Sequence, residues 1–493
     1  MMETYKNFIN GEWISSKSQK FVENRNPANT DEVLGMVAIS PIEEAQAAIK
    51  AAQASYPAWR KLPPPQRGQM IAKAALIMQE RKAELARALT LEEGKTFKES
   101  LGEVQKSINV LEFMAGESRR IAGETLSSEL PSNFAYTLKQ PMGVISTITP
   151  WNFPVSIPCW KIAPALVTGN TVVFKPATLT PWTAVIVTEI FQQAGLPAGV
   201  LNMVIGSGSG VGEEFVTNPA IRAISFTGSN DVGSHIYNHG AKRMVKVQCE
   251  MGGKNPVVVM EDADLELAVE GTIMGAFGST GQRCTATSRA IVVETIADQF
   301  IRQLAARAQA LRVGPGMEPN SDMGPAVDPG QLDTVLHYLA IGKQEGAKLV
   351  CGGERLTGPP YDKGYFVTPT IFDYVTPQMT IAQEEIFGPV LAVIRVKTFE
   401  EALDIANNVK YGLTSSIYSS DTAKVFRFAD EIETGITHIN SPTVGGEAHL
   451  PFGGIKGTGM GWREQGRTAI DFYTEIKTVY VDYTGQRRQS NLY

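Results

Sequence analysis

The stretch FGSTGQRCTATSR, residues 277–289, holds a cysteine that could act as a nucleophile. Cys284 stands among small and hydroxylated residues, directly after Arg283 and three positions after Gly281. A positioned thiolate attacks a carbonyl carbon readily and later leaves, so it can form and release a covalent intermediate. A small thiol is also a common buried filler. The stretch alone leaves both interpretations of Cys284 open.

Glycine-rich turns in the middle of the chain have the composition of a nucleotide site. VIGSGSGVGEEFV (204–216) and SFTGSNDVG (225–233) each follow an apolar run, and Lys175 ends a third such run. Glycines there let a backbone approach a pyrophosphate near a helix N-terminus, although the spacing departs from G-x-G-x-x-G. Because adjacent strand ends of a parallel sheet form ligand clefts, the three features together predict a nucleotide site.

The residues after Lys175 bear on which nucleotide binds. A carboxylate that accepts hydrogen bonds from the adenosine ribose favours NAD and repels the extra phosphate of NADP. The segment KPATLT has Thr178 and Thr180 but no acidic residue. The sequence therefore favours NADP, with NAD also possible.

The elements that must position these residues follow from the apolar pattern. Asn10-Gly11 between apolar residues predicts a tight hairpin. Ser40 as the N-cap and Pro41 at the first helical position predict the start of a helix. More helix is expected to about residue 120, and short β-branched runs then alternate with helical stretches on both sides of Cys284. This alternation predicts an α/β protein with two lobes and mostly parallel sheets.

Two segments fit neither lobe. Residues 127–141 and 473–485 both read as extended strands, and they form either an edge hairpin or an arm that extends a neighbouring subunit's sheet. The polar tail GQRRQSNLY is expected to be loosely held.

Composition excludes several classes of protein. The 493 residues carry 51 acidic and 45 basic side chains, a net charge of −6, without a long run of one sign, so no nucleic-acid partner is expected. No apolar run has the length of a membrane span, and the start lacks a secretory pattern, so we expect a cytoplasmic protein. The four cysteines show no CxxC pair, so neither a metal site nor a disulfide framework is predicted.

Six motifs in order identify a family that this chain resembles over nearly its whole length, the aldehyde dehydrogenase superfamily. They are PWNFP (150–154), FTGS (226–229), EMGGKNP (250–256), GQRC (281–284), EEIFGPV (384–390) and PFGGIKGTG (451–459). The resemblance implies a Rossmann-like cofactor domain, an α/β catalytic domain and a small β oligomerisation arm. It also implies NAD(P)-dependent oxidation of an aldehyde to an acid, in a homodimer or homotetramer.

The resemblance assigns catalytic roles residue by residue. Cys284 matches the nucleophile, Glu250 the general base, Asn152 the side-chain oxyanion donor, and Lys161 a lysine that supports the site. An oxyanion donor stabilises the charge that develops on the substrate oxygen, and the base activates the water that hydrolyses the thioester. A coenzyme-A-acylating dehydrogenase, which releases the thioester to coenzyme A instead of water, is a further alternative. Glu250, a ready water activator, speaks against it.

Cofactor and substrate residues follow from the same matches. Lys175 matches the ribose or 2′-phosphate contact, and Thr178 stands where NAD-preferring members often have a carboxylate. The remaining cofactor contacts are expected at Ile148, Thr149, Pro150, Trp151, Gly208, Gly212, Phe226, Thr227, Gly228, Ser229, Val232, Glu385 and Phe387. The loop 440–452 is expected to shape the substrate tunnel, with walls at Phe153, Trp160 and Phe452.

The substrate depends on Arg283. Its guanidinium could hold the distal anion of an aldehyde, or it could pack at the domain interface and point away. The stretches STGQRCTATSR and HINSPTVGGEAHLPFGG look most like the 2-oxoglutarate semialdehyde (2,5-dioxopentanoate) dehydrogenases. Other semialdehydes, and glyceraldehyde 3-phosphate in a non-phosphorylating oxidation, remain open. A cofactor-independent cysteine hydrolase is a further alternative, but it usually needs a histidine base, and none of the five histidines lies near Cys284 in sequence.

The resemblance also divides the chain. The cofactor domain is expected at 1–122 and 142–252, and the catalytic domain at 253–468. The oligomerisation arm is expected at 123–141 and 469–493.

Overall fold

The computed structural model describes residues 4–486. Residues 487–493, which belong to the predicted arm and its tail, lie outside the described residues. The strands are β1 (Thr4–Tyr5), β2 (Asn7–Ile9), β3 (Glu12–Ile14), β4 (Phe21–Asn26), β5 (Asn29–Ala38), β6 (Thr125–Ser127), β7 (Asn133–Pro141), β8 (Val144–Ile148), β9 (Thr171–Lys175), β10 (Leu201–Met203), β11 (Ile221–Thr227), β12 (Lys246–Glu250), β13 (Asn255–Val259), β14 (Thr287–Val293), β15 (Lys348–Cys351), β16 (Thr370–Asp373), β17 (Val390–Val396), β18 (Tyr411–Gly412), β19 (Thr414–Tyr418), β20 (Ile436–Ile439), β21 (Ile455–Lys456), β22 (Gly459–Met460) and β23 (Thr474–Asp482).

Helices cover both main sheets. They are α1 (Ile42–Trp59), α2 (Pro64–Glu80), α3 (Lys82–Glu93), α4 (Phe97–Glu117), α5 (Ser156–Val167), α6 (Pro181–Gln193), α7 (Glu213–Thr217), α8 (Asn230–Arg243), α9 (Leu265–Phe277), α10 (Glu294–Gln309), α11 (Pro329–Gln344), α12 (Thr380–Gln383), α13 (Phe399–Asn407), α14 (Thr422–Glu431) and α15 (Thr468–Phe472). None of these helices is long and apolar enough to cross a membrane, within residues 4–486.

The first large sheet carries the predicted nucleotide turns. Its order is β22-β12-β11-β8-β9-β10-β2-β3, and the strands from β12 to β10 run parallel. β8 and β9 are buried along their whole length because helices cover both faces, which explains their continuous apolar sequence. The Asn10-Gly11 turn joins β2 to β3 with φ of 53° and 83°, as a type I′ hairpin requires.

The second large sheet lies on the C-terminal side of the first in sequence. Its order is β15-β16-β17-β14-β13-β19-β20, and only β15 pairs antiparallel among the ladders described. Cys284 lies between α9 and β14, at the end of this sheet that faces the first sheet's nucleotide turns. The predicted α/β fold with two mostly parallel sheets is confirmed.

Two local features differ from the sequence analysis. α1 begins at Ile42 with Pro41 at the N-cap and no side-chain cap, whereas Ser40 was expected to cap it. The Ser40 hydroxyl instead accepts a hydrogen bond from Asn7 Nδ2 at 2.8 Å, which ties the helix to β2. β22, inside the range expected for the catalytic domain, pairs with β12 and becomes an edge strand of the first sheet.

A three-stranded antiparallel sheet stands apart from both large sheets. Its order is β23-β7-β6, so the two predicted extended segments pair with each other along their length. One face of this sheet carries exposed apolar side chains, Leu126, Ile476 and Tyr480, with Ile476 at 71%.

Candidate active site

A strained turn presents Cys284. After α9 the backbone makes a tight turn in which Ser279, Thr280 and Gly281 have φ of 50°, 59° and 67°. A Cβ on Gly281 would lie 2.3 Å from the carbonyl oxygen of Gly388, so only glycine fits there. Left-handed backbone at non-glycine residues persists where the surroundings hold it, and it concentrates at functional sites. The Cys284 carbonyl accepts a hydrogen bond from Asn255 Nδ2 at 2.8 Å, which fixes the cysteine after the turn.

Asn152 lies against the same turn. It sits between β8 and α5, and its Nδ2 donates to the carbonyl of Gln282 at 3.1 Å. Asn152 and Cys284 both line one cavity of about 250 Å³. An amide N–H beside a partly buried thiol is the arrangement that an oxyanion formed on a substrate carbonyl needs.

A buried ion pair supports the Asn152 loop, and the sequence analysis did not find it. Lys95 Nζ donates to the Asn152 carbonyl at 2.6 Å and pairs with Glu103 at 2.8 Å. Glu103 also accepts the backbone N–H groups of Val155 and Ser156, at 2.9 and 3.1 Å, at the start of α5. The available signal was Glu103 itself, a carboxylate within the apolar stripe of α4.

Glu250 ends β12 in a buried site next to a buried charge pair. Its Oε1 has no hydrogen-bond partner among the described residues. Its Oε2 lies close to Gly453, since a Cβ added to that glycine would be 3.0 Å from it. Burial raises the pKa of Glu250 well above its ordinary value, and the carboxylate of Glu464 raises it further. Lys161, which pairs with Glu464 and donates to Ser225 Oγ at 3.0 Å, lowers it in part.

Burial also raises the pKa of the Cys284 thiol, and the carboxylates of Glu250 and Glu385 add to this rise. The ammonium of Lys106 acts in the opposite direction. The thiol is therefore protonated at neutral pH in this arrangement, and a base has to accept its proton. No histidine lines the cavity around Cys284 in residues 4–486, so the carboxylates are the candidate bases.

The predicted cofactor residues line two connected cavities. A cleft of about 740 Å³ is lined by thirteen of them, namely Ile148, Thr149, Pro150, Trp151, Lys175, Thr178, Gly208, Gly212, Phe226, Thr227, Gly228, Ser229 and Val232. The other two, Glu385 and Phe387, line the Cys284 cavity, which shares Pro150, Trp151, Thr227, Gly228 and Ser229 with the cleft. The ring of Trp151 meets that of Phe387 edge to face at 5.5 Å, where the two cavities join.

The cleft has the features that a dinucleotide requires. Lys175 Nζ is buried with the carbonyl of Pro176 as its hydrogen-bond acceptor at 3.0 Å, and burial lowers its pKa to about 8. A Cβ on Gly212 would touch the Lys175 chain at 3.4 Å, so the glycine turn passes close to this ammonium. A cation that retains free donors beside glycine backbone fits a ribose or a phosphate. Glu213 and Asp231 also line the cleft, although the sequence analysis did not include them.

Arg283 is held away from the Cys284 cavity. Its Nε donates to Ser279 Oγ at 3.0 Å, and its NH2 group lies 3.3 Å from Glu99 Oε1. Arg283 lines a separate surface cavity with residues 96–99, 316–319, 321 and 322. Phe153 lies beneath Lys95, whose Nζ is 4.0 Å from the ring centroid, and Arg283 is 6.0 Å from the same ring.

Another cation lies in the predicted substrate region. The rings of Trp160 and Phe452 are 5.4 Å apart, and Lys106 Nζ lies 5.2 and 5.6 Å from their centroids. Lys106 makes no ion pair among the described residues, and burial lowers its pKa to about 8. Lys106 lines a surface cavity together with residues 446–449 of the predicted tunnel loop. No pattern in the sequence marked it, because its neighbours come from three distant segments.

A Rossmann-like sheet with a glycine-lined cleft that opens onto a cavity with a cysteine and an amide donor defines a class, the nucleotide-dependent oxidoreductases. The chain belongs to the aldehyde dehydrogenase family, whose model matches residues 13–479. The resemblance stated from the six motifs is therefore confirmed.

Relatives and solved structures agree with this family. The chain is 48% identical over 478 residues to the alpha-ketoglutaric semialdehyde dehydrogenase of Bacillus subtilis, covering 97% of this chain and 98% of the relative. It is 45% identical to the 2,5-dioxopentanoate dehydrogenase of Saccharolobus solfataricus, covering 97% and 99%. Betaine aldehyde dehydrogenase from Staphylococcus aureus, solved in complex with NAD+, superposes with a TM-score of 0.96 at 34% identity, covering 98% of this chain and 96% of that one.

Proposed function

We propose that this enzyme oxidises an aldehyde to a carboxylic acid through a covalent bond to Cys284. The observation that carries the proposal is the cavity that Cys284 and Asn152 share, which is continuous with the nucleotide cleft. A bound nicotinamide cofactor supplies the hydride acceptor. The chain supplies the nucleophile, the amide N–H that stabilises the oxyanion, and the buried Lys175 that orients the nucleotide.

The chemistry proceeds in two stages. The Cys284 sulfur, once deprotonated, forms a bond to the aldehyde carbon, and the oxygen of the tetrahedral adduct becomes an anion beside Asn152 Nδ2. Loss of hydride leaves a thioester, and water then attacks its carbonyl carbon and releases the acid and the thiol. We assign the activation of this water to Glu250, whose raised pKa makes it a stronger base than an ordinary carboxylate once it is ionised.

We propose an anionic semialdehyde as the substrate, with 2,5-dioxopentanoate first. The names of the relatives at 45–48% identity support this choice. The malonate-semialdehyde dehydrogenases at 39–40% identity make shorter semialdehydes the next candidates. Lys106 supports an anion physically, because its ammonium has no carboxylate partner within residues 4–486, lies beside two aromatic rings and can pair with a distal carboxylate.

The proposed cofactor preference is NADP, with NAD also used. Lys175 and Thr178 line the cleft together, and the hydroxyl of Thr178 does not repel a 2′-phosphate as a carboxylate there would. The carboxylates of Glu213 and Asp231 in the same cleft are the reason to include NAD. Thr178→Glu is expected to shift the ratio of kcat/KM with NADP to kcat/KM with NAD in favour of NAD. An unchanged ratio would show that Thr178 does not determine the cofactor preference.

We also propose that the β23-β7-β6 sheet is an oligomerisation arm of a homodimer or homotetramer. Its exposed row of apolar side chains supports this, because such a surface is costly to leave in water. The mass of the protein in solution, measured by light scattering, tests it: a monomer would refute the arm.

The decisive experiment is a panel of rates. The purified enzyme is given 2,5-dioxopentanoate, malonate semialdehyde and a neutral aldehyde, each with NADP and with NAD. We expect reduced cofactor to appear fastest with 2,5-dioxopentanoate and NADP, and Cys284→Ala to abolish its formation. Full turnover in Cys284→Ala would refute the covalent mechanism, and ester hydrolysis without nucleotide binding would favour the cysteine hydrolase.

A further inference from the structure

Three side chains at the rim of the nucleotide cleft converge on one point. Glu213 begins α7, and His235 and His239 lie one turn apart on α8. One ligand atom from each lies within 4.8 Å of the other two. Residues four apart on a helix share a face, so both imidazoles point at the same carboxylate. His235 Nε2 is 2.8 Å from Glu213 Oε2, and His239 Nε2 is 3.8 Å from Glu213 Oε1.

A backbone contact orients one of these imidazoles. His239 Nδ1 lies 3.1 Å from the carbonyl oxygen of His235. A carbonyl only accepts hydrogen bonds, so the neutral ring carries its proton on Nδ1 and leaves the Nε2 lone pair directed at Glu213. Histidines that bind metals usually donate their other ring N–H to a carboxylate, a backbone carbonyl or water, which orients the ring. The contact of His239 with a backbone carbonyl is of this kind.

The donor set defines the class of ion. Two imidazole nitrogens and one carboxylate oxygen suit Zn²⁺ and its neighbours Ni²⁺ and Cu²⁺, whereas Mg²⁺ and Ca²⁺ prefer oxygen ligands throughout. Bonds of about 2.1 Å in a tetrahedron place ligand atoms about 3.4 Å apart. The two measured separations, 2.8 and 3.8 Å, lie on either side of that value. The side chains are 48%, 32% and 38% exposed, so an ion can enter and water can fill the fourth position.

We propose that Glu213, His235 and His239 bind one Zn²⁺-class ion, and that the bound ion weakens the binding of NAD. Glu213 and His235 also line the cleft of about 740 Å³, whereas His239 does not. An ion that takes both side chains as ligands fixes the cleft wall and withdraws the Glu213 carboxylate as a hydrogen-bond acceptor for the ribose hydroxyls of NAD. When the ion binds, the proton that His235 Nε2 shares with Glu213 moves to Nδ1 of the same ring or to solvent. Only the effect on the nucleotide rests on the proposed function.

Calorimetric titration of ZnCl₂ into the protein without nucleotide tests the site. Thiolates also bind zinc, so the parent for every variant is Cys284→Ser. We expect one saturable site in the parent, with affinity at least about tenfold weaker in His235→Ala and in His239→Ala, since each removes one ligand. His337→Ala, an exposed histidine on α11, is the matched control and is expected to keep the parent's affinity. Equal zinc binding in the parent and in His239→Ala would refute the site.

The coupling has its own readout. NADP and NAD affinities are measured with and without saturating zinc, in the parent and in His239→Ala. We expect zinc to raise the Kd of NAD at least several-fold in the parent and to leave it unchanged in His239→Ala, which retains both cleft residues. An unchanged Kd in the parent would refute the competition. A protein that binds zinc but no nucleotide would instead refute the proposed function and leave the metal site standing.

Discussion

Glu99 and Arg283 connect α4 to the turn that presents the nucleophile. Glu99 Oε1 accepts the Ser279 backbone N–H at 2.6 Å and lies 3.3 Å from the Arg283 guanidinium. The other carboxylate oxygen of Glu99 accepts the N–H and the hydroxyl of Thr96 at the start of α4. One carboxylate therefore holds a helix N-terminus and both sides of the Cys284 turn. Arg283 acts on the thiol by positioning it.

Glu99→Gln is expected to lower both stability and kcat. The amide keeps one acceptor but loses the charge-assisted bonds to Arg283 and Ser279, with a loss of about 1–2 kcal/mol in the free energy of unfolding. A looser turn displaces Cys284, so we expect kcat to fall about tenfold. Lys98→Ala, the exposed neighbour, serves as the control, and thermal melts and kcat are measured for both. A kcat equal to that of Lys98→Ala would mean that Glu99 does not position the turn.

Gly281→Ala is expected to damage the site more than strain alone would. The left-handed φ of 67° disfavours alanine, and the added Cβ would lie 2.3 Å from the Gly388 carbonyl oxygen. The matched control is Gly346→Ala, which has a φ of 88° and open space around its Cβ. The control is expected to lose about 1–2 kcal/mol of unfolding free energy. Gly281→Ala should lose more and should lower kcat on the order of a hundredfold.

Denaturant unfolding and kcat distinguish the two glycine variants. If Gly281→Ala kept full activity, the close approach to Gly388 would not be needed to place the nucleophile.

Glu464→Gln is expected to move the acid side of the pH–rate profile to lower pH. Burial raises the pKa of Glu250 first and the charge of Glu464 second, and a general base works only when it is deprotonated. Removal of that charge lowers the pKa of Glu250, and the Lys161 ammonium, now without its carboxylate partner, lowers it further. The profile is measured from about pH 6 to 9 on kcat. Glu270→Gln, an exposed carboxylate at 53% on α9, should leave the profile in place.

An acid side that stays where it is, or that moves to higher pH in folded Glu464→Gln, would show that Glu250 is not the titrating base. A thermal melt establishes that the variant is folded.

The sequence predicted the features that depend on local patterns. Short β-branched runs became buried parallel strands, and Asn10-Gly11 became the expected hairpin, because the residues that decide these structures are adjacent. The six ordered motifs contain Cys284, Asn152 and part of the cofactor residues, and the glycine-rich turns and Lys175 predicted others. The structure brings these residues into connected cavities.

Other features depended on distant partners. Ser40 has the residue type of a helix cap, but its hydroxyl accepts a hydrogen bond from the side-chain amide of Asn7 instead of capping α1. β22 joins the first sheet by pairing with the edge of β12. The two residues of β22, 459 and 460, carry no sequence pattern that predicts this pairing. The direction of Arg283 is set by Glu99, 184 residues away, so both orientations remained open from sequence.

Lys106→Met is expected to reduce recognition of anionic substrates selectively. The ammonium beside Trp160 and Phe452, which makes no ion pair within residues 4–486, is removed in this variant, while the methionine keeps most of the chain length. Loss of one desolvated ion pair corresponds to about 1.5–3 kcal/mol, so kcat/KM for 2,5-dioxopentanoate should fall about tenfold to a hundredfold, with a neutral aldehyde little changed. In the unchanged enzyme, KM for the anion should rise above about pH 8, since the pKa of Lys106 is lowered to about 8 and the ammonium deprotonates there.

Arg283→Met is the matched comparison for Lys106→Met. Arg283 pairs with Glu99 and holds the Cys284 turn, so this variant should lower kcat for anionic and neutral aldehydes by the same factor. The two variants thus separate recognition of the anion from positioning of the thiol. A selective loss of the anionic substrate in Arg283→Met, with Lys106→Met unaffected, would reverse the two assignments and place the carboxylate beside Arg283.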